Sequence, residues 1–122
     1  MSLIYGDNFI NNNTIEPYTF SSLFYNNNKL VNAKDLILPS MSLTTYCYSS
    51  MFYRCTSLVT APELPATTLA LRCYSSMFVL CTSLVTAPEL PATYLANYCY
   101  DNMFYNCTSL NYVKAMFISG IN

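Results

Sequence analysis

The chain has 122 residues, 53% of them hydrophobic and only 9% charged, and its formal net charge is −1. That is enough for one core, with no basic stripe for nucleic acid and no run near the ~18 apolar residues of a membrane span. With no His and two Gly, the commonest general base and a glycine-rich phosphate loop are both missing, as is any G-x-S-x-G elbow.

In chain order, "MSLIYGDNFINNN" lacks a basic start followed by an apolar block, so no signal peptide is read. Residues 1–19 carry neither Cys nor a proline turn. They are expected to form an N-terminal cap that packs Ile4, Tyr5, Phe9, Ile10 and Ile15 against the first coil of the chain. The Asn triplets at 11–13 and 26–28 mark turns.

From residue 20 onward the chain repeats. Met51-Phe52, Met77-Phe78 and Met103-Phe104 recur at intervals of 26. So do Cys47, Cys73 and Cys99, then Cys55, Cys81 and Cys107, then Leu58, Leu84 and Leu110. A worn earlier copy begins at Ser21-Ser22-Leu23-Phe24, offset by 28, and continues through Leu30, Ala33, Pro39 and Leu43. A period in this range is the mark of a stacked-repeat solenoid. One unit buries about seven side chains at ~1.5–3 kcal/mol each. Ordering its residues costs about 1–2 kcal/mol apiece, so no unit is expected to fold without neighbours.

Within a unit, Leu69, Cys73, Met77 and Cys81 are spaced by four, with Ala70, Tyr74 and Phe78 beside them. That spacing predicts a short helix with Thr67 as its N-cap, weakened in the middle by Ser75-Ser76. "TSLVTA" predicts a short strand ended by Pro88, with Leu58 and Ala61 facing inward, and "PELPA" a rigid turn. The fold class is therefore α/β: a solenoid of about four coils near 20–47, 48–73, 74–99 and 100–110. Residues 111–122 form a C-terminal strand or cap. There Lys114 replaces the proline, a charge that discourages edge pairing. "AMFI" beside it is too apolar for a free end: it folds back, meets a second copy, or continues into further chain.

Six Cys at alternating gaps of 8 and 18 lack the close pairs of a zinc site. Helical residues eight apart are about 12 Å apart, too far for a bridge within one unit. The expectation is two columns of buried thiols, a cysteine ladder. Bridges between equivalent Cys of adjacent coils remain the alternative. No metal and no cofactor is expected.

The pattern "YSSMF–C-TSL–AP-LPAT-LA–C" over residues 20–117 resembles the BspA-type leucine-rich repeats of bacterial surface proteins. The resemblance implies a right-handed α/β solenoid without catalytic residues. It also implies a cell-surface or secreted location and a role in adhesion to host or bacterial partners. The absence of a signal peptide leaves a cytoplasmic location open.

Residues 48–73 and 74–99 are identical at 21 of 26 positions, so the five that differ are where function has room to vary. They are Tyr53/Val79, Arg54/Leu80, Thr68/Tyr94, Leu71/Asn97 and Arg72/Tyr98. An Arg that alternates with Leu or Tyr does not fit a repeating core, so these slots are expected outside, as a partner surface or as drift on a convex face. A second candidate surface is the strand face: Val59, Thr60 and Glu63, repeated as Val85, Thr86 and Glu89. Glu63 and Glu89 are expected close together, as solvated surface, or as an acid–base or cation-binding pair. The expected function is a non-catalytic protein- or glycan-binding module, adhesin-like. The alternative is a structural element that self-assembles through its ends, with Lys114 to Ile118 at the contact.

Overall fold

The computed structural model describes residues 15–117. Ile15 of the expected cap is buried in the core. Ile4, Tyr5, Phe9 and Ile10 lie outside the described residues, as does Ile118.

Four ten-residue ribbons of consecutive reverse turns, at 17–26, 45–54, 71–80 and 97–106, set the architecture. They correct the helix expected over Leu69–Cys81: there is no helix among the described residues. The reason lies in how the backbone shares its hydrogen bonds. The N–H groups of Cys47, Ser49, Met51, Tyr53 and Cys55 each donate to the carbonyl three residues back. The alternate N–H groups, of Tyr46, Tyr48, Ser50, Phe52 and Arg54, donate to Leu71, Cys73, Ser75, Met77 and Val79 of the next repeat, at 2.8–3.1 Å. A helix would have bonded all but its first four N–H groups internally, to the fourth residue back. Here half of the donors in each of the first three ribbons are satisfied only by the next ribbon, so such a ribbon by itself would leave them without a protein partner.

Every fourth residue in a ribbon has positive φ: Tyr46, Ser50 and Arg54, then Arg72, Ser76 and Leu80, then Tyr98, Asn102 and Asn106. These are third residues of alternate turns, the place where a type II turn needs φ above zero. Their side chains are exposed or half-buried, while the pairs between them, Cys47-Tyr48, Met51-Phe52 and their equivalents, point into the core. The ribbon therefore has a period of four, close enough to 3.6 that its apolar stripe imitates a helix face.

Stacking aligns equivalent side chains. Phe24, Phe52, Phe78 and Phe104 form one column, with ring centroids 5.4–5.7 Å apart and planes within 17°. Phe20, Tyr48, Tyr74 and Tyr100 form a second at 5.9–6.0 Å. The outer cysteine column ties the repeats together. The thiols of Cys55, Cys81 and Cys107 donate to the carbonyls of Phe24, Phe52 and Phe78 at 3.1, 3.1 and 2.9 Å. In the worn first repeat Asn27 takes the cysteine's place, and its Oδ1 accepts the N–H groups of Lys29 and Leu30. Hydroxyls do the same work elsewhere: Ser57 donates to the Asn28 carbonyl and Ser83 to that of Thr56, both at 2.7 Å. This is how a chain with so few ions covers its polar backbone.

The expected strand contracts to single parallel bridges running Asn32, Thr60, Thr86, Tyr112 up the stack, with Ser42 to Thr68 and Leu90 to Ala115 on a neighbouring side. Leu58 and Leu84 are fully buried and Ala61 packs partly buried against the core. In the proline turn, Pro62, Leu64 and Ala66 are buried and Glu63 points out. No helix among the described residues is long and apolar enough to cross a membrane.

Candidate interaction surface

The outward-facing residues of the ribbons form columns of their own. One runs Tyr18, Tyr46, Arg72, Tyr98; another Ser22, Ser50, Ser76, Asn102; a third Asn26, Arg54, Leu80, Asn106. Tyr18 stacks on Tyr46 with centroids 4.8 Å apart and planes within 8°. The Arg72 guanidinium lies 4.4 Å over the Tyr98 ring and 3.4 Å from the Asp101 carboxylate. At this exposure the cation–π contact contributes about 0.5–1 kcal/mol and the ion pair no more than that. Tyr25 and Tyr53 stack in the same way at 4.8 Å on the ribbon's other flank.

Nine of the ten side chains at the five differing positions are exposed or half-buried. The exception, Val79, is a correction: it is 5% exposed. It occupies the Tyr53 position, and a valine standing in a column between Tyr53 and Tyr105 is overshadowed by the larger rings on either side. The slots do not converge on one spot. Arg54 and Leu80 lie at one end of the ribbon, and Leu71, Arg72, Asn97 and Tyr98 at the other. Thr68 and Tyr94 belong to the preceding segment, where Tyr94 is 68% exposed.

On the strand side Val59, Val85 and Thr86 are exposed and Thr60 half-buried. Glu63 and Glu89 border an open hollow of about 280 Å³ whose walls include Pro62, Pro65, Pro88 and Pro91. Glu89 pairs with Lys114 at 3.1 Å, with both side chains more than half exposed. Among the described residues no three His, Cys, Asp or Glu side chains come together as a metal site.

All six cysteines are free and buried. Burial pushes the thiol of Cys47 up to about 11 and that of Cys73 up to about 12, and raises the other four. None of them is a poised nucleophile, which would need a lowered pKa and access. The hydroxyls of Tyr48, Tyr74 and Tyr100 are buried with no hydrogen-bond partner among the described residues, and burial raises their pKa values as well.

Sequence reasoning passed over Tyr18, Tyr25, Tyr46 and Tyr105 as surface residues. Their signal was present in the same offsets of 28 and 26 that mark the core: Tyr18 to Tyr46, Tyr25 to Tyr53, Val79 to Tyr105. Stacking also decides what these tyrosines can offer. Tyr18 and Tyr25 each stack on a single ring, and Tyr105 has no ring stacked on it among the described residues, so each keeps an open face. No family model, curated protein or solved structure matches this chain.

Proposed function

We propose that the chain is a non-catalytic recognition module: a short solenoid of leucine-rich-repeat type, with turn ribbons in place of helices, that presents a rigid lateral face to a protein or glycan partner. The observation carrying this reading is the partition of sequence between two near-identical repeats. Buried columns are kept almost unchanged, and differences fall on exposed or half-buried positions, Val79 alone excepted. A His-free chain with its few charges dispersed offers no convergent acid–base set. Surface location and adhesion rest on the sequence resemblance.

The test uses the immobilised 122-residue chain against lysate and surface extract of the source, beside a variant carrying Leu80→Arg, Tyr94→Thr and Asn97→Leu. These changes copy the preceding repeat into the next while leaving Val79 and the Arg72–Tyr98 contact intact. A protein captured by the parent and lost by the variant supports the reading. Equal capture by both moves the site away from the variable slots. Capture abolished by deglycosylating the extract identifies the partner's glycan as the ligand.

A further inference from the structure

Each ribbon donates forward and accepts from behind, so the two ends of the stack carry complementary edges. On the last ribbon the N–H groups of Tyr98, Tyr100, Asn102, Phe104 and Asn106 have no acceptor among the described residues. On the first, the carbonyls of Pro17, Thr19, Ser21, Leu23 and Tyr25 have no donor among them. These are the same alternate positions that bond every internal pair of ribbons. Beside the donor edge lies an open, mostly apolar hollow of about 380 Å³, bordered by Leu90, Met103, Phe104, Val113 and Phe117. Phe117 leans over Tyr100 at 6.1 Å and 39°, while Tyr105, Tyr112 and Val113 stay exposed around it. At the acceptor edge Tyr18, Leu23 and Tyr25 are exposed.

We propose that residues 97–106 of one molecule dock on residues 17–26 of a second copy of this chain, head to tail. The register is that of the internal pairs. Tyr98 N–H meets the Pro17 carbonyl, Tyr100 meets Thr19, Asn102 meets Ser21, Phe104 meets Leu23, and Asn106 meets Tyr25. Tyr105 then lies over Tyr25 as Tyr53 does over Tyr25 within one chain. The second copy is the fitting occupant because its first ribbon supplies the acceptor spacing of this edge, and because the chain already makes the same contact three times internally. A two-fold dimer is ruled out by the chemistry, since it would set donors against donors. The contact is heterologous and adds copies in one direction. It is independent of the lateral recognition proposed above.

Sedimentation velocity and light scattering over a concentration series test it. The parent's weight-average mass is expected to climb above the 13.8 kDa of one chain. Tyr105→Asp blocks the donor end and Tyr25→Asp the acceptor end. Each is expected to weaken association by about tenfold or more, because docking would desolvate a carboxylate against a ring. An equimolar mixture of the two variants should form a one-to-one dimer and nothing larger, since each keeps the end the other lacks. Amide exchange on the parent needs no substitution: exchange at Tyr98, Tyr100, Asn102, Phe104 and Asn106 should slow as concentration rises. A parent that stays at monomer mass to its solubility limit, with exchange independent of concentration, overturns the proposal. So does a mixture that associates no better than its components.

Discussion

Ser76 offers a sharp test of the turn ribbon, because ribbon and helix rank the same substitutions in opposite orders. Its φ is 57°, its side chain is half-buried, and its N–H donates to the Asp101 carbonyl at 2.8 Å. Holding an L-residue in this region costs about 1–2 kcal/mol. Ser76→Gly removes that cost but adds about 0.5–1 kcal/mol of backbone entropy lost on folding. The net expectation is a gain of about 0–1.5 kcal/mol. Ser76→Val places a β-branched residue at positive φ and should lose about 1–3 kcal/mol. At the neighbouring Ser75, buried and without positive φ, glycine relieves nothing and should cost about 0.5–1 kcal/mol. Urea unfolding resolves these differences: with a slope of about 1–3 kcal/mol/M, each kcal/mol moves the midpoint by about 0.3–1 M. In a helix, glycine would be the worst of the three residues at position 76 and valine close to serine. A Ser76→Gly midpoint below that of Ser76→Val would therefore refute the ribbon geometry.

Two further outcomes concern the buried columns. Tyr74→Phe should stabilise the fold by about 1 kcal/mol, because it removes a buried hydroxyl that has no partner among the described residues and keeps a ring that Phe20 already shows to fit this column; a lower urea midpoint would mean that the hydroxyl has a partner. The thiols set a pH window. With Cys47 pushed up to about 11 and Cys73 to about 12 from an ordinary 9.0, the folded chain keeps protons that the unfolded chain releases above pH 9. Their contribution is complete below pH 9 and is lost as pH rises through 11 to 12. The unfolding midpoint should fall steadily above pH 9, and a midpoint that rises there contradicts burial of these thiols.

The stacking of the molecule is written plainly in its sequence, and its local geometry is not. The 26-residue spacing of Met51, Met77 and Met103, and of the two cysteine columns, locates the buried side chains because each must meet its own copy in the next repeat. The helix is a misreading because a spacing of four is shared by a helix face and by paired turns. The residues at positive φ give little warning. Asn26, Asn102 and Asn106 are types that accept this region, but Tyr46, Arg54, Arg72 and Leu80 are not, and no glycine marks any of these positions. Val79 is misplaced by sequence for a related reason. Its slot differs between copies, yet its burial depends on the tyrosines above and below it, which comparison of two repeats does not reveal. The opposed end edges are invisible in the sequence for the same cause, since they depend on which carbonyl each N–H selects.

That selection also gives the molecule an axis. In every ribbon the donors that reach a neighbour point toward the later repeat, and the carbonyls that receive them point back. Their peptide dipoles add along the stack as they do along a helix. The outermost donors, from Tyr98 to Asn106, make that end electropositive, and the end beginning at Pro17 is electronegative. Within the ribbons only the last carries a carboxylate at the position of Ser21, Ser49 and Ser75: Asp101, at the positive end. A chain of net charge −1 thus has a directed field that salt would screen, and that field would orient an approaching partner before any side chain makes contact.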